Sequence, residues 1–203
     1  PGDPDRDQLA ALFERLEFRT LLRQITETTA RSRTPTLTRE GFEAVRSPEA
    51  LREMAAALRE AGTFAAVALS AGRAGTDARF TPLVGLAFCT TPERAWYIPL
   101  GHCLLDAHPQ LHQPAVLDVL GPLLADPAVL KIARDAKLLT QQLARAGVTL
   151  EGVDMDVRLA SYVLDPDKYA HTLANIAQDL LTHARLDDSS FLGRGRKRVG
   201  WDE

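Results

Sequence analysis

Side chains able to hold a metal or move a proton are scattered along the chain rather than gathered. Three of the five histidines, His102, His108 and His112, lie between Gly101 and Gln113. A zinc centre needs ligands at short fixed spacings, and these match none, so they read as solvated loop or edge histidines. Cys89 and Cys103 are the only cysteines and form neither a ligand pair nor a disulfide framework. Such usage suits a reducing, cytosolic setting. Five acids, Asp77, Asp135, Asp154, Asp156 and Asp165, carry the oxygen ligands that a hard divalent ion requires. Only a fold that gathered them would make a hydrolytic site. Near the end, Gly193-Arg194-Gly195-Arg196-Lys197-Arg198 offers four cations to nucleic-acid phosphates, with Trp201 as one stacking group. Glycines interleaved with charges read first as a solvated loop.

The bulk properties narrow the class without naming an activity. A net charge of −3 gives no general attraction for nucleic acid or acidic membranes, so any such contact must be local. The hydrophobic and charged fractions, 45% and 25%, are those of an ordinary globular chain. No run approaches the roughly 18 apolar residues of a membrane span, and no signal peptide is visible. A length of 203 residues suits one domain with an appendage. The chain starts at Pro1 without an initiating methionine and stops soon after the basic run, which reads as a piece of something longer.

The elements that would position these groups are organised around Phe64 to Leu69. That run is apolar at every position, as expected of an interior strand covered on both sides. Leu83 to Cys89 and Ala95 to Leu100 follow it, joined through Thr90-Thr91-Pro92-Glu93-Arg94, and predict an antiparallel meander. Ahead of it, Asp3 to Ile25 carries helical stripes whose phase changes near Glu17, predicting a kink or two short helices capped by Asp5 or Asp7. Thr26 to Thr38 reads as an extended linker. Ser47-Pro48-Glu49-Ala50 opens a helix that Gly62 closes. Ser70 to Pro82 reads as an exposed loop. Beyond the meander, helices are expected over 114–124, 137–146, 157–164 and 172–183, with short strands at 128–132 and 153–155.

Several of these stretches resemble the amino-terminal part of the large fragment of the bacterial DNA polymerase I family, the polymerase A family. They are Leu12-Phe13-Glu14-Arg15-Leu16-Glu17-Phe18, Leu83-Val84-Gly85-Leu86, and Ala95-Trp96-Tyr97-Ile98-Pro99-Leu100-Gly101-His102. Leu159-Ala160-Ser161-Tyr162-Val163-Leu164-Asp165-Pro166 and Leu173-Ala174-Asn175-Ile176-Ala177 follow in the same order. The resemblance implies an α/β, ribonuclease H-like 3′–5′ exonuclease fold, a mixed five-stranded sheet flanked by helices. It also implies a bridging helix and flexible linker over residues 1–45, and an exonuclease-like domain over 46–203 that is cut before its third motif.

That family cleaves a terminal phosphodiester with two divalent ions, Mg²⁺ or Mn²⁺, held by carboxylates. Its first motif places Asp and Glu two residues apart on the central strand, where i and i+2 share a face. The resemblance puts Val67 and Leu69 at those positions. The second motif, Asn-x-Lys-x-Asp, falls on Asp135-Ala136-Lys137-Leu138-Leu139, so the ligand position is Leu139. None of the three can bind a metal, and all three are expected to be ordinary core. The third motif, Tyr-x-x-x-Asp, lies in the family beyond Glu203. Asp156 matches an acid that precedes the family's Ala-Ser-Tyr helix, where a capping role is expected.

The expected function is therefore a catalytically inactive proofreading domain, kept as a scaffold in the replication and repair enzyme, with no catalytic or metal-binding residues and no cofactor of its own. The expected partners are the polymerase domain of the same polypeptide and, through it, DNA, with no membrane. Lys137, Arg194, Arg196, Lys197 and Arg198 are the expected weak DNA contacts. The fragment is expected to be monomeric, in the bacterial cytoplasm and at the nucleoid through its parent. Two rivals stand beside this reading: an active exonuclease with relocated ligands, and a module that holds single strands without cutting them.

Overall fold

The apolar run around Val67 becomes strand β2 (Thr63–Ser70), an interior strand of a six-stranded sheet with order β1-β4-β3-β2-β5-β6. The computed structural model describes residues 5–18, 21–22, 25, 41–71, 80–103, 109–168, 170–181, 192–193 and 199–200. The meander forms as expected: β3 (Leu83–Thr91) is antiparallel to β2, and β4 (Arg94–Pro99) antiparallel to β3. Strand β5 (Leu130–Ala133) pairs parallel to β2, and β6 (Val153–Asp156) parallel to β5, so the sheet is mixed.

The sheet has one strand more than expected. Residues Phe42–Ala44 form β1, which pairs parallel to the outer side of β4. Three exposed residues have no period to read, and their pairing depends on Gly41 slipping beneath the β3–β4 turn. A Cβ at Gly41 would lie 1.7 Å from the Glu93 carbonyl oxygen, so no other residue fits there. Val45, which follows, is fully buried and donates its N–H to the Tyr97 carbonyl at 2.8 Å.

Helix ends follow their local chemistry. In α1 (Arg6–Arg15), Asp5 caps the start by accepting from the N–H groups of Asp7 and Gln8. Glu17 then adopts a left-handed φ of 56°, which breaks the stripe where its phase changes. None of the α1 residues is buried. Helix α2 (Pro48–Ala61) has Ser47 as cap, Pro48 in its first turn and Gly62 at φ 67° as its left-handed stop. Among the described residues, α3 (Gln113–Leu124), α4 (Ala136–Arg145), α5 (Val157–Leu164) and α6 (Leu173–Leu181) follow. The expected linker over 26–38 and most of the loop over 70–82 lie outside the described residues.

The core occupies one face of the sheet. The steps β2 to β5 and β5 to β6 run in one direction, and right-handed crossovers then place α3 and α4 on the same side. There, Phe64 and Ala66 of β2, Leu86 and Phe88 of β3, and Trp96 and Ile98 of β4 meet Met54 and Leu58 of α2 and Leu120 and Leu123 of α3. Phe64 and Phe88 pack edge to face at 5.7 Å. Burial on β2 therefore alternates, Phe64 and Ala66 fully and their neighbours by half, which corrects the expectation of a strand buried on both sides. Uniform apolarity cannot tell one covered face from two.

Candidate active-site cleft

Val67 and Leu69 project together from the half-buried face of β2, opposite Phe64 and Ala66. Their cross-strand partners on β3 are Ala87 and Gly85, and Ala87 pairs in turn with Tyr97 of β4. The Tyr97 ring lies across Gly85, where a Cβ would stand 2.1 Å from the phenol oxygen. Only glycine admits the ring beside Leu69. Tyr97 is closely hydrogen-bonded to His102 Nε2, and burial pushes its phenol up to about 12. Gln110 holds His102 from both sides, its amide oxygen accepting the His102 N–H at 2.9 Å and its amide nitrogen donating to the His102 carbonyl at 2.7 Å.

Leu139 is placed differently. It is 4% exposed on α4, inside the cluster that also holds Leu143, Phe64 and Leu120. Ala68 packs against that cluster from β2, whereas Val67 and Leu69 face the other way. The structure thus brings Val67 and Leu69 together but sets Leu139 in the helix-covered core. The expectation that all three are ordinary core holds for Leu139 alone. The other two are half-buried because parity, not hydrophobicity, decides which face a strand residue takes.

Two of the candidate acids are committed to helix ends. Asp135 caps α4 by accepting the Leu138 N–H at 3.0 Å, and its second oxygen meets Arg158 at 2.9 Å. Asp156 accepts the Leu159 N–H at 2.9 Å as the cap of α5 and the Ala136 N–H at 2.8 Å from the start of α4. One carboxylate therefore joins both helices, and the capping half of this role was legible in the sequence. The join to α4 was not, because it spans twenty residues. Gln142, 6% exposed on α4, reaches the Ser70 hydroxyl at the end of β2 and fixes the helix against the strand.

Among the described residues, no three His, Cys, Asp or Glu side chains come close enough to hold a metal. Hydrocarbon at Val67, Leu69 and Leu139 gives a hard divalent ion nothing to coordinate, so these residues do not fit a metal pair. Lys137 is exposed in the first turn of α4. Arg194, Arg196, Lys197, Arg198, His108, Asp77 and Trp201 lie outside the described residues. His102 is half-buried in the tyrosine pair rather than solvated, while His112 precedes α3 and makes no side-chain cap. The Tyr97–His102–Gln110 set escaped sequence reading, since a five-residue spacing across a turn follows no secondary-structure period.

Residues 82–200, more than half of the chain, match the family model described as DNA polymerase I, ribonuclease H-like domain. DNA polymerase I of Pseudomonas aeruginosa is 32% identical over 211 residues, covering 100% of this chain and 23% of the relative. The enzyme of the same name from Geobacillus stearothermophilus is 29% identical, covering 98% of this chain and 20% of its own length. The chain thus spans about a quarter or less of these relatives. Among solved structures, one titled "POL domain of Pol1 from M. smegmatis complex with DNA primer-template and dNTP" aligns at 26% identity with a TM-score of 0.52, over 70% of this chain and 23% of that one. An RNase D from Trypanosoma brucei, at 16% identity and a TM-score of 0.59 over 72% of this chain and 43% of its own, shares the fold. With that sheet, that order of elements and these relatives, the chain belongs to the DNA polymerase I family as its ribonuclease H-like, 3′–5′ exonuclease-type domain.

Proposed function

We propose that this domain has lost its nuclease chemistry and serves as a scaffold within a DNA polymerase I polypeptide. The observation that carries the reading is the nature of the ligand positions. The sequence resemblance aligns Val67 and Leu69, on the half-buried face of β2, with the family's Asp and Glu, and the buried Leu139 with an Asp. A carboxylate at such a position would resist desolvation, whereas a fully buried leucine stabilises by roughly 1.5–3 kcal/mol. Two of the candidate acids, Asp135 and Asp156, are held by helix N–H groups and, for Asp135, by Arg158. The domain's work is then mechanical: to hold the polymerase portion of the same polypeptide in place in a replication and repair enzyme of the bacterial cytoplasm.

A ligand that binds only the folded state raises its stability by RT ln(1 + [L]/Kd), about 2.7 kcal/mol at a hundredfold excess over Kd. Millimolar Mg²⁺ or Mn²⁺ is therefore expected to leave the melting temperature unchanged and to elicit no release of nucleotides from a single-stranded oligonucleotide. Manganese-dependent digestion that follows the purified protein, and not a contaminant, sinks the reading in favour of an exonuclease with relocated ligands.

A further inference from the structure

The start of α6 is fastened to α5 through one buried polar pair. Helix α5 turns Ser161 inward, 6% exposed, while its Leu159, Val163 and Leu164 face solvent. The Ser161 hydroxyl is hydrogen-bonded to His171 Nδ1 at 2.9 Å, and Tyr162 packs edge to face on the same imidazole at 5.4 Å. The other ring nitrogen, Nε2, is buried and finds no hydrogen-bond partner among the described residues. A neutral imidazole has one donor and one acceptor nitrogen, so Ser161 can serve Nδ1 in either tautomer while Nε2 goes unserved. A second proton makes both nitrogens donors and adds a charge. A buried charge with no acceptor is far more costly than a buried neutral nitrogen, so the pair as built suits the neutral ring.

The groups around the ring do not supply that acceptor. On α5, Arg158 is engaged by Asp135 at 2.9 Å, and the phenol of Tyr162 belongs to the ring that packs on His171. In the connection, Lys168 pairs with Asp179 of α6 at 3.2 Å. None of the carboxylates of Asp165, Asp167 and Asp179 is a hydrogen-bond partner of Nε2. His171 stands directly before Thr172, whose hydroxyl accepts the Asn175 N–H at 3.2 Å and whose carbonyl accepts the Ile176 N–H at 2.9 Å. The Asn175 amide reaches back to the Ala170 carbonyl at 3.1 Å. The first turn of α6, and with it the buried Ile176, is therefore built on residues 170–172. We infer that His171 is an acid-sensitive latch between the two helices. Neutral, it holds the start of α6 against Ser161; protonated, it must reach water, and the first turn of α6 leaves with it. The latch does not depend on whether the domain cleaves nucleic acid.

Imidazole changes charge between about pH 5 and 8, which sets the window of the test. Amide hydrogen exchange of the 203-residue chain is measured across it, each rate divided by the unstructured rate at the same pH. Protection at Asn175, Ile176 and Ala177 is expected to fall about tenfold or more as pH drops from about 7 to about 5, and protection along β2 to stay level. His171→Phe keeps a ring against Tyr162 and takes no proton, so it should hold the α6 amides at one value across the window. Should that variant lose α6 protection altogether, His171→Asn, which keeps a hydrogen-bonding group near Ser161 and also takes no proton, gives the deciding comparison. Unchanged protection of α6 in acid overturns the proposal, and so does a loss shared equally by β2, which is acid unfolding of the whole domain. A parent-like acid loss in the uncharged variant places the switch elsewhere and overturns it too.

Discussion

The two faces of β2 are made of similar residues and have opposite fates. On one, Phe64 and Ala66 are buried beneath α2, α3 and α4. On the other, Val67 and Leu69 lie half-open beside Tyr97. The covered face is held by close packing, where any change of volume or charge is felt. The open face is lined by hydrocarbon as well, yet it is not sealed. Apolar side chains do not seal a face by themselves; covering it needs further elements.

The comparison breaks most sharply on charge. Leu139→Asp places an unpaired carboxylate in the helix-covered cluster and should cost about 3–5 kcal/mol. Leu69→Asp, half-open to water, should cost markedly less. Urea denaturation of the two variants reads the difference, and equal losses would mean that the two faces are not distinct environments.

A smaller effect is expected at the junction between α4 and α5. Asp156→Ala removes a carboxylate that caps α5 and also accepts from Ala136 at the start of α4. A single lost cap costs about 1 kcal/mol, so this one should approach the 2 kcal/mol upper end. Asp156→Asn, which keeps one accepting oxygen, should recover part of it in thermal melts. If the alanine variant melts like the parent, the two helix starts are not held through this side chain.

The mildest test concerns pH. The Tyr97 phenol is raised by burial to about 12 from an ordinary value near 10. A group whose folded value lies above its unfolded one contributes stability that is intact below pH 10 and is lost as pH climbs from about 10 towards 12. The parent should lose stability across that alkaline window, and Tyr97→Phe should show a flatter profile there. An unchanged alkaline profile in the variant would place the phenol in water.

Much of this molecule is written in its sequence, because short-range chemistry decides it. Ser47, Pro48 and Gly62 set the ends of α2, and the phase change near Glu17 marks where the backbone turns left-handed. The meander from Phe64 to Leu100 follows from three apolar runs and one polar turn. The apolar character of Val67, Leu69 and Leu139 is likewise visible as letters. Tertiary structure alone decided the rest. Strand β1 exists because Gly41 fits under a turn fifty residues away, and three residues carry no period of their own. Tyr97 meets His102 and covers Gly85 through strand pairing and a turn rather than through spacing. Hydropathy gives Val67 and Leu69 the same character as Phe64, and it gives α5 an apolar side without saying where that side points. Both are questions of which face is already taken, and only the packed sheet answers them.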